Sequence, residues 1–323
     1  MSEIIVGIDI GGTKIEACFY EKSSIDNSLS ELRKKRIPTQ RDKGYEFVLE
    51  NIVSLLKELL SESSLQISDI NAIGIGLPGT VDPKTTMMSN GNTGIFIGND
   101  FGQDLKEKLK TNSSIFIAND ANCFALAEAR LGAGLVLANE KNTSVDQLTT
   151  LGVILGTGCG GGLCINGKIH AGANGAAAEI GHMILVTNGT NCFCGQRGCA
   201  EQYLSGSAFE NIYNLKVQSE DPKSGKEIFD LIHNKDSMAL DCLNHYKENL
   251  TTFLRMMCSF YDPDLIVFGG GLSNQEMIYQ GIEQKLKEIN FIKGTSPAIR
   301  KNTLGDSAGV LGAALLTRAK DIN

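Results

Sequence analysis

The feature that most constrains the fold is a strand–glycine turn–strand pattern that occurs twice in the chain. In residues 4–20, "IIVGIDIGGTKIEACFY", apolar residues alternate on both sides of Gly11–Gly12. Residues 149–168, "TTLGVILGTGCGGGLCINGK", repeat the arrangement around a second glycine turn. Alternation with a period of two predicts strands, and glycine permits the sharp turn between them. The chain is therefore predicted to contain two similar halves, each opening with a hairpin.

The rest of the chain alternates between strand-like and helix-like segments. Residues 45–60 carry apolar side chains at helical spacing, and residues 207–260 are mainly helical in pattern. The stretch "DPDLIVFGGGLSN" predicts a strand that meets three glycines and opens into a helix. Alternating strands and helices predict the α/β class. We predict domains over 1–120 and 121–305, with a C-terminal helix at 306–323 completing the first.

Composition narrows the class of partner. Among 323 residues 42% are hydrophobic, which allows a sizeable core, and the formal net charge is −7. An acidic chain is a poor binder of nucleic acid or of an anionic membrane, so we expect neither as a partner. The N-terminal apolar run breaks at Asp9, and no window resembles a signal peptide or a spanning helix. A cytoplasmic location is expected.

Three separate glycine turns follow strand-like segments. They lie at residues 11–13, 156–162 and 269–271. Two segments, starting at Gly74 and Gly156, match the pattern G-x-G-x-x-G, but neither is followed by the helix that a dinucleotide site needs. Successive backbone N–H groups at such turns bind anions. Three turns of this kind indicate a nucleotide held from several sides.

Two carboxylates stand at strand ends near these turns. Asp9 precedes the first glycine turn, where it could hold Mg²⁺ or simply cap the turn. Asp120 follows the strand ending in "IFIAN" and could accept a hydroxyl proton during phosphoryl transfer, with Asn119 bound to the acceptor. The alternative is a helix cap, and Asn122 is expected at or near that cap.

The segment 179–201, "EIGHMILVTNGTNCFCGQRGCAE", gathers four metal-binding side chains: His182, Cys192, Cys194 and Cys199. One histidine and three thiolates suit a closed tetrahedral zinc site of the structural kind. Three cysteines cannot all pair as disulfides, and the Cys-x-x-Cys motif of redox proteins is absent from the sequence. Glu179 and Glu201 flank the cluster and are expected to bind a nearby polar ligand. The second nitrogen of His182 could donate to the same ligand.

These motifs together resemble the ROK family, which contains bacterial sugar kinases and repressors. The resemblance covers essentially the whole chain in order, through "GIDIGGTK", "GIGLPG", "NDANCFALAEA", "GVILGTGCGGG", "EIGH" with "CFCGQRGCAE", "DPDLIVFGGGLSN" and "GDSAGVLGAA". It implies an actin/hexokinase-like (ribonuclease H-like) fold of two α/β domains with a central cleft. Because the first glycine motif begins at residue 7, no DNA-binding extension is expected before it, which favours a kinase over a repressor.

The resemblance also implies residue roles. Asp120 would be the catalytic base. The sugar would be bound by Gly79, Asn90, Asn92, Asn119, Asp120, Glu179, His182 and Glu201. ATP and its Mg²⁺ would be bound by Asp9, Gly11, Gly12, Thr13, Lys14, Gly156, Thr157, Gly158, Gly269, Gly270, Gly271 and Asn274. Structural Zn²⁺ would be bound by His182, Cys192, Cys194 and Cys199.

The expected function is that of an ATP- and Mg²⁺-dependent hexose 6-kinase. Fructose or mannose is the favoured sugar because residues 89–105 resemble the acceptor loop of fructokinases and mannokinases, and glucose is the next candidate. The alternative is a kinase of N-acetylglucosamine or N-acetylmannosamine. A non-catalytic sugar-responsive regulator is the rival from another functional class. The resemblance further implies a homodimer or a tetramer.

Overall fold

A computed structural model describes residues 3–24, 28–82, 85, 87–91, 94–218 and 220–317. Its strands are β1 (Glu3–Ile10), β2 (Lys14–Lys22), β3 (Leu29–Pro38), β4 (Ile70–Leu77), β5 (Thr80–Val81), β6 (Met88–Asn90), β7 (Ser114–Asn119), β8 (Thr149–Leu155), β9 (Cys159–Ile165), β10 (Lys168–Ile169), β11 (Leu265–Gly269) and β12 (Ala298–Lys301). Its helices are α1 (Tyr45–Glu62), α2 (Phe101–Leu109), α3 (Asp120–Arg130), α4 (Ala133–Glu140), α5 (Glu201–Leu204), α6 (Gly206–Val217), α7 (Gly225–His233), α8 (Ser237–Tyr261), α9 (Ile282–Ile289) and α10 (Ala308–Leu315).

The first of two compact units comprises the described residues of 1–131, 162–177 and 304–323. Its five-stranded sheet has the order β3-β2-β1-β4-β7. Strand β1 is antiparallel to β2 and parallel to β4, and β4 is parallel to β7. The carboxyl ends of β1, β4 and β7 therefore meet at one edge of this sheet, which is where ligands bind in open α/β sheets.

Helices cover the sheet of the first unit. Helix α1 buries the stripe predicted from its apolar spacing, including Val48, Ile52 and Leu59. Helix α10 contacts β1 and β4 closely, because both strands carry glycine at the contact. A Cβ at Gly7 would overlap the carbonyl oxygen of Val310, and one at Gly74 would overlap that of Ala313. Glycine in these two strands thus allows helix backbone to rest directly on sheet backbone.

The second unit comprises 132–161 and the described residues of 178–303. The second five-stranded sheet has the order β10-β9-β8-β11-β12, and strand β9 begins in this unit and continues into the first. Strands β8, β11 and β12 run parallel. Helix α8 is 25 residues long, is capped by Asp236 and buries Leu250, Phe253 and Met257. The helical region predicted at 207–260 corresponds to α6, α7 and α8.

Both predicted glycine-turn hairpins are present, but the structure differs from the predictions at the triple glycine and at the domain boundaries. Directly after the triple glycine the described chain forms two short 3₁₀ turns, Gly271–Asn274 and Glu276–Ile278, and the next α-helix, α9, begins only at Ile282. Gly270 has φ 79°, which glycine tolerates but which interrupts a helix. The units also differ from the predicted domains, because α3 packs on α10 and β7 in the first unit. The predicted C-terminal helix 306–323 contains α10, and its residues 318–323 lie outside the described part.

One described stretch, Asp120–Glu140, is long and apolar enough to cross a membrane by length and composition alone. In the structure it forms two helices, α3 and α4, and 78% of its most apolar window is buried within the protein. Burial in a protein core accounts for that apolar composition.

Candidate functional site

Asp9 is the last polar residue of β1, and its carboxylate occupies space left by two glycines. A Cβ at Gly309 would lie 2.6 Å from Asp9 Oδ2, and one at Gly76 would lie 3.4 Å from Oδ1. Burial, and after it the charge of Glu16, raises the pKa of Asp9 to about 6, although the charges of Lys14 and Arg36 act in the opposite direction. A carboxylate held in a confined, poorly solvated place benefits from a bound cation, which fits the predicted Mg²⁺ role.

Asn119 and Asp120 lie at the junction of β7 and α3. Asn119 is the N-cap, and Asn122, the residue expected at or near the cap, is the third residue of α3. Asn119 accepts hydrogen bonds through its Oδ1 from the N–H groups of Ala121 at 2.8 Å and Asn122 at 3.3 Å. Its Nδ2 donates to the carbonyl of Gly79 at 3.1 Å. The backbone N–H of Ala121 also donates to Asp120 Oδ1 at 2.8 Å. The first turn of α3 thus fixes the start of the helix from which the Asp120 carboxylate projects.

Asp9 and Asp120 share one edge of the first unit's sheet. In the strand register Asp9 is opposite Gly76, and Gly76 is opposite Ala118, two residues before Asp120. Two strand spacings separate β1 from β7, or roughly 10 Å. This separation leaves room for a hydroxyl at one carboxylate and a metal-bound phosphate at the other.

The glycine turn after β1 is closed by a hydrogen bond from the Gly11 N–H to the Lys14 carbonyl at 2.8 Å. Thr39 supports it from outside, donating through its hydroxyl to the Gly11 carbonyl at 2.7 Å and through its N–H to the Thr13 carbonyl at 3.0 Å. Gly12 and Thr13 complete the turn. The predicted phosphate turn is thus a well-anchored part of the same sheet edge.

The predicted sugar residues of the first unit lie close to the Asn119 amide. A Cβ at Gly79 would overlap the carbonyl oxygen of Asn90, so only glycine fits there. Asn90 ends β6, opposite Thr80 of β5, and its Oδ1 accepts from the Gly91 N–H at 2.9 Å. The predicted residue Asn92 lies outside the described residues. A cavity of about 370 Å³ that the sequence did not indicate also lies in this unit, and Asn119 is among its lining residues.

In the second unit, the turn before β9 opens on a cavity of about 510 Å³. The turn is closed by the Gly156 N–H, which donates to the Gly158 carbonyl at 3.0 Å. The described lining residues are Gly156, Thr157, Gly206, Ser207, Glu210, Gly225, Lys226, Phe229, Gly271, Leu272 and Gln275. The first residues of α6 and α7 both contribute, and helix N-termini favour anionic ligands. The glycine turn and the two helix N-termini make this cavity suitable for an anionic ligand such as a nucleotide.

The sequence motifs did not indicate several of these lining residues. Gly206, Ser207, Glu210 and Lys226 come from helices whose starts face the glycine turn only after folding, although the capping serines before α6 and α7 were visible signals. Of the predicted glycines, Gly269 ends β11 and Gly270 packs against Leu155. Among the described residues, Gln275 rather than Asn274 lines the cavity, and the Asn274 amide donates to the Gly271 carbonyl at 3.2 Å.

The four predicted metal ligands converge in the second unit. The donor atoms of His182, Cys192, Cys194 and Cys199 all lie within 4.8 Å of one another. The sulfurs of Cys194 and Cys199 are 3.5 Å apart, and the Cys192 sulfur is 3.7 Å from His182 Nδ1. Tetrahedral zinc with bonds of about 2.3 Å places its sulfurs about 3.8 Å apart. The donor set and its spacing therefore fit zinc.

The electrostatics of the cluster also fit a cation. Poor solvation, and after it the hydrogen bonds with Cys194 and Cys192, raises the pKa of the Cys199 thiol to about 12. The backbone N–H of Gln196 lowers the pKa of Cys194. Neighbouring thiols lose their protons together only when a bound cation offsets the repulsion between the thiolates that form. Because Nδ1 of His182 faces the sulfurs, Nε2 is the nitrogen left for another partner.

The residues flanking the cluster pack on the second glycine turn. Glu179 precedes the 3₁₀ turn Ile180–His182, and a Cβ at Gly181 would overlap the carbonyl oxygen of Cys159. Glu201, which begins α5, accepts a hydrogen bond from the Cys159 N–H at 3.0 Å through Oε2. The metal cluster, the candidate sugar residues of this unit and the phosphate-type turn therefore form one packed group.

Comparison with known proteins decides the family. The sequence profile of the ROK family matches residues 5–320. The chain belongs to the ROK family. An N-acetyl-D-glucosamine kinase from Haemophilus influenzae is 34% identical to it over 327 residues, which cover 97% of this chain and 99% of that relative.

Solved ROK structures give the same result. A ROK hexokinase from Thermus thermophilus has a TM-score of 0.78 and 28% identity, with 97% of each chain covered. A ROK glucokinase from Streptomyces griseus, solved with glucose and AMPPNP, has a TM-score of 0.75 and 26% identity, with 97% of this chain and 98% of that chain covered. The predicted actin/hexokinase-like fold is confirmed. The chain is a ROK sugar kinase, an ATP-dependent phosphotransferase.

Proposed function

We propose that this protein transfers the γ-phosphoryl group of ATP to the 6-hydroxyl of N-acetyl-D-glucosamine. The observation that carries the kinase chemistry is the placement of Asp9 and Asp120 on one sheet edge, at the ends of strands two positions apart. A carboxylate for the acceptor proton and a carboxylate for the donor's metal are the two groups that such a transfer requires from side chains.

In the proposed reaction Asp120 accepts the proton of the sugar hydroxyl. The hydroxyl oxygen forms a bond to the γ-phosphorus, and the bond from that phosphorus to the β–γ bridging oxygen breaks, which releases ADP. Mg²⁺, when bound, neutralises phosphate charge, and Asp9 would hold it directly or through water. The backbone N–H groups of Gly11–Thr13 and Gly156–Gly158 would bind phosphate oxygens. Gly271 would approach the adenosine.

The relatives favour an N-acetylated sugar over the fructose or mannose expected from the acceptor loop. The Haemophilus influenzae enzyme and another from Vibrio atlanticus, 35% identical over 321 residues, are both named N-acetyl-D-glucosamine kinases. The similarity to one acceptor loop covers only residues 89–105, whereas the similarity to these two relatives covers at least 96% of the chain. The N-acetylhexosamine alternative thus becomes the main proposal, with glucose as a second substrate.

The proposed sugar contacts come from the predicted residues. Asn119, Glu179, His182 and Glu201 would bind hydroxyl groups, His182 through Nε2, and Gly79 with Asn90 would shape the rest of the pocket. Zinc at the cysteine cluster would be structural, because four protein ligands leave no position for water. A homodimer and a cytoplasmic location remain predictions. Light scattering on the purified chain checks the first.

The test is steady-state kinetics on a panel of sugars at saturating MgATP: N-acetylglucosamine, N-acetylmannosamine, glucose, mannose and fructose. We expect the highest kcat/KM with N-acetylglucosamine. Asp120→Asn should lower kcat by about 10³-fold or more with unchanged thermal stability and zinc content. Asp230→Asn, on the exposed surface of α7, removes the same charge and should be neutral. Highest efficiency with fructose or mannose would overturn the sugar assignment. Normal turnover by Asp120→Asn would overturn the mechanism.

A further inference from the structure

The segment that follows β3 is bound directly to the first phosphate turn. Thr39 makes two hydrogen bonds to that turn, to the carbonyls of Gly11 at 2.7 Å and Thr13 at 3.0 Å. Thr39 is fully buried, so the attachment is protected from water. The chain therefore leaves Thr39 from a fixed position beside the turn.

The chain then folds Arg41 back over the turn. Gln40 adopts a left-handed conformation with φ 51° and ψ 46°, and residues Arg41–Lys43 form a single 3₁₀ turn that ends at Gly44. As a result, Arg41 Nη1 lies 3.5 Å from the position that a Cβ on Gly12 would occupy. The guanidinium thus lies beside the face of the glycine turn that has no side chain.

Arg41 differs from two other cations near this turn, Lys14 and Arg36. Lys14 Nζ lies 3.9 Å from Asp306 Oδ2, and Arg36 Nε donates to the buried carboxylate of Glu16 at 2.7 Å. The Arg41 side chain is exposed, and its guanidinium has no ion-pair or hydrogen-bond partner in the part of the chain that the structure describes. Its donors remain available for an anionic ligand.

We propose that Arg41 contacts the terminal phosphate of the nucleotide and stabilises the negative charge of the transferred phosphoryl group. This inference rests on the proposed kinase function. The planar guanidinium matches phosphate oxygens with two parallel N–H bonds, which a lysine cannot reproduce. The turn that it covers lies on the same sheet edge as Asp120, so a phosphate bound there is the one nearest the acceptor hydroxyl. Positive charge at that point favours the transition state for transfer.

The first test compares Arg41→Gln and Arg41→Lys with a matched control, Lys43→Gln. Lys43 belongs to the same 3₁₀ turn, but its Nζ bonds Gln40 Oε1 at 3.0 Å and lies 4.4 Å from the centre of the Phe47 ring. We expect Arg41→Gln to lower kcat by about 10²- to 10³-fold with the KM for sugar unchanged. Arg41→Lys should recover part of this loss, and Lys43→Gln should resemble the wild type. Equal kinetics for Arg41→Gln and Lys43→Gln would overturn the proposal.

Calorimetry supplies a readout that needs no turnover. Arg41→Gln should weaken binding of Mg·AMPPNP about tenfold and binding of Mg·ADP by less than twofold, because only the first carries a terminal γ-phosphate. Equal weakening of both ligands would contradict a terminal-phosphate contact. If the wild type phosphorylated no sugar at all, the proposed function would fail, whereas the AMPPNP and ADP comparison would still decide the role of Arg41.

Discussion

The carboxylate of Glu201 lies against the backbone of Gly158. Its Oε2 accepts the N–H of the next residue, Cys159, at 3.0 Å, and a Cβ on Gly158 would lie 2.6 Å from the same oxygen. Glu201 comes two residues after the metal-cluster residue Cys199, and Gly158 belongs to the turn that lines the second unit's cavity. One side chain thus joins the candidate metal loop, residues 183–200, which directly precedes it, to the phosphate-type turn.

This contact predicts that Gly158→Ala destabilises the protein even without ligand. The new Cβ would either push Glu201 off the Cys159 N–H or shift the turn, at a cost of about 1–3 kcal/mol. Chemical denaturation of the ligand-free chain measures this. Gly156→Ala is the matched control, because a Cβ at Gly156 meets no atom within 4 Å.

A double-mutant cycle identifies the cause. If Glu201 is the obstacle, Gly158→Ala should cost clearly less in a Glu201→Ala background than alone. Additive effects of the two substitutions would show that the backbone of the turn, and not Glu201, resists the methyl group.

Asp9 gives a prediction about pH. Its folded-state pKa, about 6, is above its ordinary value of 3.8, so the ionised carboxylate opposes folding. That opposition is fully present above pH 6 and fades as the pH falls towards 4. Without Mg²⁺, Asp9→Asn should therefore stabilise the chain by up to about 3 kcal/mol at pH 7.5 and by little near pH 4, while abolishing kinase activity. Denaturation at a series of pH values checks this, and a stability gap independent of pH would refute it.

The motifs that the sequence predicted correctly are those in which a few neighbouring residues determine the geometry. The alternation around Gly11–Gly12 predicted a hairpin because side-chain direction and turn chemistry are local properties. The spacing of Cys192, Cys194 and Cys199 predicted a ligand cluster because zinc limits the distances between its donors.

The features that the sequence missed depend on packing. Lys226 lines the cavity because α7 starts beside the glycine turn, and no local pattern specifies that approach. The helix expected after the triple glycine is a 3₁₀ turn, since Gly270 must pass close to Leu155 with a positive φ. Arg41 was missed because its proximity to Gly12 depends on the hydrogen bonds of Thr39, 28 residues from Gly11 in sequence.

Asn119 has two separable tasks, which two substitutions should distinguish. Its Oδ1 caps α3, and its Nδ2 holds the Gly79 carbonyl at 3.1 Å. Asn119→Asp keeps the cap but loses the donor, so stability should change little while the KM for sugar rises several-fold. Asn119→Ala loses both and should also be destabilised by about 1–2 kcal/mol. Thermal melts with sugar kinetics test the pair, and equal stability of both variants would contradict the capping role.

The candidate metal loop is expected to depend on bound zinc for its conformation. The loop contains no helix or strand of its own, and long irregular loops need ligands or cross-links to hold one conformation. Cys194→Ser should therefore lose bound zinc and leave the loop disordered. Because Gly181 and Glu201 pack on the second glycine turn, that disorder should extend to the proposed sugar residues. The KM for sugar should then rise about tenfold or more. Cys258→Ser, on α8, removes a thiol outside the cluster and should keep both zinc and KM. Zinc is measured by metal analysis of the purified variants. Loss of zinc with an unchanged KM would show that the loop holds its shape without the metal.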